Sequence, residues 1–330
     1  MDLELTFLGT AGSAPTARRG LPAFLVRRGG YRLLIDCGEG TQRQLIRSEG
    51  LVELPEVLIT HLHADHVLGL PGLLKTWSLM DRQTPLVVRG PRGLRELMRA
   101  FGRVVGLTRL GYELEIEELD APVELPRDGW RVGAFPVEHG VPALGYAIVE
   151  DDRPGRFDPE RARALGVQPG PDFGRLQRGE PVCGSTGEVR PEQVMGPPRP
   201  GRKLVFSGDT RPCEFLRAAA WRCDVLVHEA TFVHEDAQRA AETGHATARE
   251  AAELAAACEV RMLALTHLSP RYPPRVLEEE ARALFPSTVV PRDLDRLVVP
   301  FPERGRPTLV GRREEPGSRD DETVELVQGA

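Results

Sequence analysis

Apolar and polar positions alternate from residue 3 to 9, the two-residue period of a half-buried strand. The same period at 24–27 and 32–36, on either side of Gly29-Gly30, predicts a hairpin. An apolar strand follows at 56–60 and another at 86–89. Residues 94–105 then switch to helical spacing of their apolar side chains. Strand patterns return at 112–118, 131–137 and 145–149. After a long break they resume at 203–207, 224–228 and 261–266, with an Ala/Glu-rich helix at 248–257. Strands followed by helix, twice over, predict an α/β sandwich.

The break at 151–202 is dense in Pro, Gly and charge, as in Gly166-Val167-Gln168-Pro169-Gly170-Pro171 and Gly196-Pro197-Pro198-Arg199-Pro200-Gly201. Few of its apolar residues are placed to face a core, and a structureless loop of this length is uncommon inside a compact domain. It reads as an insertion protruding from one core built of 1–150 and 203–302. The chemistry-bearing residues lie on both sides of it, which argues against a linker between two domains. Residues 303–330, charged and broken by Pro and Gly, read as a loosely ordered tail.

Composition narrows the class. The 330 residues are 41% apolar, and no apolar run approaches the ~20 residues a bilayer requires. The N-terminus reads as a first strand and not as a secretory leader. Five cysteines, Cys37, Cys183, Cys213, Cys223 and Cys258, are scattered without a CxxC pair. That pattern predicts a reducing compartment, hence the cytoplasm. A net charge of −6 does not advertise a nucleic-acid binder, although arginines cluster between Arg153 and Lys203.

The chemistry enters where the 56–60 strand ends. His61-Leu62-His63-Ala64-Asp65-His66 offers three imidazoles and a carboxylate in six residues. A loop at a strand end can converge them, whereas a straight strand would send neighbours to opposite faces. Zinc accepts both donor types and keeps a position open in catalytic sites. His139, Asp209 and His267 sit at other strand ends; singly they read equally well as a surface residue, a turn former and a helix cap. Together with the first cluster they make five histidines and two aspartates, enough for two metal ions sharing a carboxylate.

Several segments carry a family resemblance: Phe7-Leu8-Gly9-Thr10, Leu34-Ile35-Asp36-Cys37-Gly38-Glu39-Gly40-Thr41-Gln42, the histidine cluster, and Ser207-Gly208-Asp209-Thr210-Arg211-Pro212. His228-Glu229-Ala230-Thr231-Phe232, Gly244-His245-Ala246-Thr247 and Thr266-His267-Leu268-Ser269-Pro270-Arg271-Tyr272 complete the set. On these the chain resembles the ribonuclease Z (tRNase Z) family, tRNA 3′-processing endonucleases of the metallo-β-lactamase superfamily, in its short bacterial-type form. The histidine cluster alone specifies only the superfamily; the segments around Glu229 and His245 are specific to this branch.

The resemblance implies an αββα sandwich and two Zn2+ per chain. It implies that His61, His63 and His139 hold one ion, Asp65, His66 and His267 the other, with Asp209 bridging. Asp65 would also orient or deprotonate the attacking water. His245, held by Glu229, would protonate the departing 3′-oxygen, leaving a 3′-hydroxyl on the tRNA and a 5′-phosphate on the trailer. Asp36 reads as a support for the ligand loops, His228 as a structural histidine and His234 as a surface one. The insertion resembles the family's flexible arm, which grips precursor tRNA. Arg175, Arg178, Arg199, Arg202 and Lys203 are its candidate phosphate contacts. A homodimer follows from the same resemblance, and the lack of a long apolar run predicts no membrane association. Pro15-Thr16-Ala17-Arg18-Arg19-Gly20 departs from the family's Pro-x-Lys-x-Arg-Asn loop, and Gly244-His245-Ala246-Thr247 from the commoner GHST. The alternatives are a same-fold phosphodiesterase, exoribonuclease or arylsulfatase-like hydrolase of small esters, and a non-catalytic RNA-binding subunit.

Overall fold

In the strand Leu3–Gly9 every residue is buried. Leu3, Leu5 and Phe7 point to one apolar cluster and Leu8 to another, so the two-residue period here sorts side chains between two cores. The computed structural model describes residues 2–107, 109–185 and 187–311. Among them are two large sheets. The first orders its strands Thr308–Val310, Arg296–Val298, Leu3–Gly9, Ala23–Arg28, Tyr31–Ile35, Glu56–Leu58, Leu86–Gly90 and Leu114–Glu118. The second runs Thr288–Val289, Leu263–Thr266, Val225–Glu229, Lys203–Phe206, Leu144–Glu150, Trp130–Pro136 and Val123–Arg127.

The sheets face each other across a core that includes Phe7, Phe24, Ile35, Tyr146, Phe206 and Val227. Helices Thr41–Ser48, Leu70–Leu79 and Leu94–Val105 cover the outer face of the first sheet, burying Leu45, Leu73, Trp77 and Leu94. Helices Glu214–Ala220, Ala248–Ala257 and Pro274–Arg282 cover the second through Leu216, Ala251, Ala255 and Leu277. The result is the expected αββα sandwich. In each sheet the strands next to the active edge are parallel. Their C-terminal ends therefore open on one rim, where open α/β sheets place ligands.

Two expectations need correction. The insertion is not without a core: Pro159–Ala164 and Pro171–Gln177 are helical, and Val182–Gly184 pairs with Gly187–Val189. Asp158 caps the first helix through the amides of Glu160 and Arg161 at 3.1 and 2.9 Å. Ala162, Val167, Leu176, Val182, Val189 and Val194 bury one another in a small separate cluster. The apolar residues were too few for the main core because they serve this one. The second correction concerns the tail. Residues 303–311 are part of the fold, since Thr308–Val310 is the edge strand of the first sheet; residues 312–330 lie outside the described residues. Among the described residues no helix is long and apolar enough to cross a membrane.

A candidate metal centre and its acid–base pair

Asp36 closes the strand Tyr31–Ile35 in a left-handed conformation, φ 57°. Its carboxylate turns to the neighbouring strand end, accepting from the Thr60 amide at 2.8 Å and the Thr60 hydroxyl at 2.9 Å. The same carboxylate meets His66 Nδ1 at 2.7 Å, which leaves Nε2 as the ligand atom of that ring. Beyond His63 the chain turns into the short helix Ala64–Val67, and that turn carries Asp65 and His66 to the same place. Asp36 thus holds the ligand loop, as the sequence suggests.

The expected ligand atoms converge. His61 Nε2 and His63 Nδ1 are 3.1 Å apart, and His139 Nε2 lies 3.2 Å from His63 Nδ1. Asp65 Oδ2 is 3.3 Å from His267 Nε2 and 3.6 Å from His66 Nε2. Asp209 Oδ2 stands between the two groups, 3.7 Å from His61 Nε2, 3.9 Å from His139, 3.5 Å from His66 and 3.0 Å from His267. Metal–nitrogen bonds of about 2.0–2.1 Å in a tetrahedron separate ligand atoms by roughly 3.3 Å, so these spacings suit metal coordination. A further observation fits the same group: His66 Nε2 is buried and has no hydrogen-bond partner. The donor set of imidazole and carboxylate fits divalent metal ions.

Electrostatics agree with that fit at His61, His63 and the two aspartates. At His66 burial is outweighed by Asp36 and Asp209, which raise its pKa and favour a proton on that ring in the metal-free protein. Burial pushes His61 and His63 below the ordinary histidine range, favouring the neutral ring that binds metal. Burial alone would raise the Asp65 carboxyl, but its hydrogen bond to His267 and the nearby imidazoles hold it well below the usual carboxylate range. Asp209 is buried too, and the surrounding histidines keep it ionised.

Beside the cluster, Glu229 ends the buried strand Val225–Glu229. Its Oε1 accepts from the Thr210 amide at 2.7 Å and its Oε2 from the Thr231 hydroxyl at 2.6 Å. His245 Nδ1 lies 2.9 and 3.1 Å from the two carboxylate oxygens. Burial by itself lowers the His245 pKa; the hydrogen bond and charge of Glu229, with Asp209 and Asp65 behind, raise it to about 9. Thr247 closes the segment as a helix cap, its hydroxyl accepting from the Glu250 amide at 3.1 Å.

Some residues that serve the site escape a reading by donor type. The Thr231 hydroxyl touches Glu229, lies 2.8 Å from His267 Nδ1 and 3.3 Å from His245 Nδ1, so one side chain joins the Glu229–His245 pair to the candidate ligand cluster. Gly244 contributes its carbonyl, 2.8 Å from His139 Nδ1. The Ser13 amide donates to Asp65 Oδ2 at 2.9 Å. A Cβ at Gly12 would sit 2.5 Å from His267 Nδ1 and 2.7 Å from its carbonyl oxygen. Gly12→Ala is therefore expected to displace His267 and cost about 10–100-fold in metal affinity, measured by chelator competition. Unchanged affinity would mean that the loop yields instead.

His228 is buried with Nδ1 2.7 Å from the Glu229 carbonyl oxygen, outside the ligand groups, and His234 is exposed. The candidate phosphate contacts separate. Arg202 is a correction: its buried guanidinium donates to both Glu150 oxygens at 2.7 and 2.9 Å and to the Val299 carbonyl at 2.9 Å. It stands at the root of the insertion, where a buried cation needs a buried carboxylate more than an external phosphate. Lys203 Nζ donates to the Trp221 carbonyl at 3.1 Å, on the core. Arg199 donates to the Pro154 carbonyl at 3.0 Å and pairs with Glu303 at 3.4 Å. Arg175 and Arg178 are exposed on the insertion, each paired with Glu180, at 3.1 and 3.3 Å.

The fold and this centre together define a metallo-β-lactamase-type protein, and the family models agree. "Metallo-beta-lactamase superfamily" matches residues 19–153 and "Beta-lactamase superfamily domain" residues 193–268. The chain is 46% identical over 302 residues to the ribonuclease Z of Methanosarcina acetivorans, covering 91% of this chain and 99% of that one. It is 48% identical over 298 residues to that of Gemmatimonas aurantiaca, covering 89% and 95%. The solved human tRNase Z, short form, superposes with a TM-score of 0.64 at 26% identity over 91% of this chain and 99% of its own. The chain belongs to the ribonuclease Z family of metallo-β-lactamase-fold enzymes. The Bacillus subtilis protein YhfI, TM-score 0.67 at 17% identity over 90% and 99%, shares the fold.

Proposed function

We propose that this enzyme is a zinc-dependent endoribonuclease that removes the 3′ trailer of precursor tRNA, leaving a 3′-hydroxyl on the tRNA and a 5′-phosphate on the trailer. The observation that carries the reading is the Glu229–His245 pair, 2.9 Å apart and beside the ligand cluster. The ribonuclease Z name of the relatives supports an RNA phosphodiester as substrate. One zinc ion would be held by His61, His63 and His139, another by Asp65, His66 and His267, with Asp209 reaching both. Bound there, zinc supplies Lewis acidity that lowers the pKa of water and neutralises phosphate charge.

The chain's own residues orient the reaction and move the protons. Asp65 is ionised and is held by the Ser13 amide and His267, so it can accept the proton of the attacking water. Water oxygen bonds to phosphorus as the bond to the 3′-oxygen breaks. His245 directs Nδ1–H to Glu229, and its Nε2–H donates to the departing 3′-oxygen. Arg175 and Arg178, exposed on the insertion, are the remaining candidates for phosphate contact there. The reading includes a homodimer in the cytoplasm; the free cysteines support a reducing compartment.

The test is end mapping of products from matched precursor tRNAs, with and without an encoded CCA, against turnover of a small aryl phosphodiester. A single internal cut with a 5′-phosphorylated trailer is expected. Stepwise shortening from the 3′ end would replace the reading by an exonuclease. Preference for the small ester would replace it by a hydrolase of small substrates. Because Ala17 and Gly20 stand where the family has Lys and Asn, the CCA pair also reports how this loop treats a mature end.

A further inference from the structure

The insertion leaves the core at a place unrelated to the metal ligands. The strand Leu144–Glu150 begins at the centre, where the Leu144 amide donates to the Thr60 carbonyl at 2.8 Å, and ends at Glu150. At ~3.4 Å per residue, that end is about 20 Å from the centre. Two runs of chain form the root side by side: Arg153 and Arg199 exchange amide–carbonyl hydrogen bonds at 2.7 and 2.9 Å. Gly155 and Gly196 touch closely enough that a Cβ on Gly155 would meet the Gly196 carbonyl oxygen at 1.9 Å.

A third segment, from the end of the chain, grips this root. The Arg153 guanidinium donates to both Glu303 oxygens at 2.8 and 3.0 Å and lies 3.5 Å from the centroid of the Phe301 ring. Arg202 approaches the same ring at 4.1 Å while it holds Glu150, and Arg199 reaches Glu303. Glu150 is also bound by Arg28, from the first sheet, at 2.8 Å. Hydrogen bonding from Arg153, with a backbone amide, lowers the Glu303 carboxyl pKa to about 2. Phe301 and Glu303 follow Val299, which pairs with Leu3 of the first sheet. The root is thereby tied to both sheets.

We propose that Glu303 and Phe301 are positioning residues that clasp the root of the insertion and set the direction in which it meets precursor tRNA. A fifty-residue projection with its own small core turns as a unit, so a small rotation at the root moves its far end by a much larger distance. The clasp restricts that rotation through a bidentate ion pair and two guanidinium–ring contacts, without touching the reacting atoms. The inference rests on the reading of the insertion as the part that grips tRNA.

The test uses the full-length, zinc-loaded enzyme carrying Glu303→Ala, Phe301→Ala or Glu303→Asp, beside a variant whose residues 156–195 are replaced by two glycines. Glu303→Ala and Phe301→Ala are expected to raise KM for precursor tRNA about 5–20-fold. They leave kcat, and the turnover of bis(p-nitrophenyl) phosphate, within about twofold. Glu303→Asp recovers part of the loss, and amide exchange at residues 153–157 and 195–200 quickens in Glu303→Ala. If shortening the insertion raises KM but the two alanine variants do not, the clasp is refuted. A parallel fall in small-ester turnover would also refute it, because the effect would then reach the centre. If shortening itself leaves KM unchanged, the tRNA-gripping role of the insertion falls. Exchange rates then decide whether Glu303 holds the root.

Discussion

Replacing His245 by alanine is expected to lower kcat on precursor tRNA by about 10²–10⁴-fold, the usual weight of a general acid, while bound metal stays unchanged. The expectation rests on the ring's engagement: Nδ1 is 2.9 Å from Glu229 Oε1, which suits a proton donor held by a carboxylate. The pH profile tests the same point with a definite sign. An acid acts when protonated, so activity falls as pH rises through its pKa. Glu229 raises that pKa to about 9 in the metal-free protein. Bound cations would act in the opposite sense, which places the expected alkaline limb below that value. Glu229→Gln removes the charge that favours the proton, so the limb moves to lower pH. Loss of a metal ion in His245→Ala would instead make His245 a ligand, a role its distance to His139, Asp209 and His267 also permits. An alkaline limb unmoved by Glu229→Gln would separate the pair.

Asp209→Ala is expected to have the widest effect on the metal centre itself. Its Oδ2 is within 4 Å of ring nitrogens from His61, His66, His139 and His267, and no other carboxylate oxygen among the described residues lies so close to both groups. Removing it weakens both sites at once, so activity should fall by more than the ~10–100-fold typical of losing an outer partner. Stability reads out the same loss. A ligand at 100 times its Kd stabilises the native state by about 2.7 kcal/mol, so added zinc should raise the Tm of the natural protein and raise that of the variant far less. Metal content per chain by mass spectrometry completes the comparison. Two ions retained per chain in Asp209→Ala would remove Asp209 from the centre.

The strand positions and the clustering of candidate ligands were legible in the sequence for a local reason. Period-two alternation at 3–9, 24–27 and 32–36, and the helical spacing at 94–105, reflect contacts that any burial on that face requires. The centre was legible because donor types that bind metal stand just beyond apolar strands, at His61, Asp209 and His267. The short strands Thr288–Val289, Arg296–Val298 and Thr308–Val310 carry too few residues for a period to emerge. They are strands because their partners are there. Thr231, Gly12 and Ser13 were equally hidden: a hydroxyl, a missing Cβ and a backbone amide announce nothing until another segment approaches them.

The arginines show the limit most clearly. A cation in a Pro/Gly-rich insertion suggests an RNA contact, and by charge alone Arg175, Arg199 and Arg202 are equivalent. Tertiary structure separates them, because Glu150, at the end of the strand just before the insertion, holds Arg202, and Glu303, far beyond the insertion along the chain, closes over its root and takes Arg199. The sequence by itself determined the two-layered α/β core and the clustering of candidate metal donors at strand ends, since each depends on residue type there. The pairing of Glu229 with His245 came only from the family resemblance, because His245 stands between two helices. Only the folded chain decided which cations are consumed within the protein, which hydroxyl joins Glu229 to His267, and how a terminal segment holds the insertion. Those choices depend on distances between residues remote in sequence, and no local pattern encodes them.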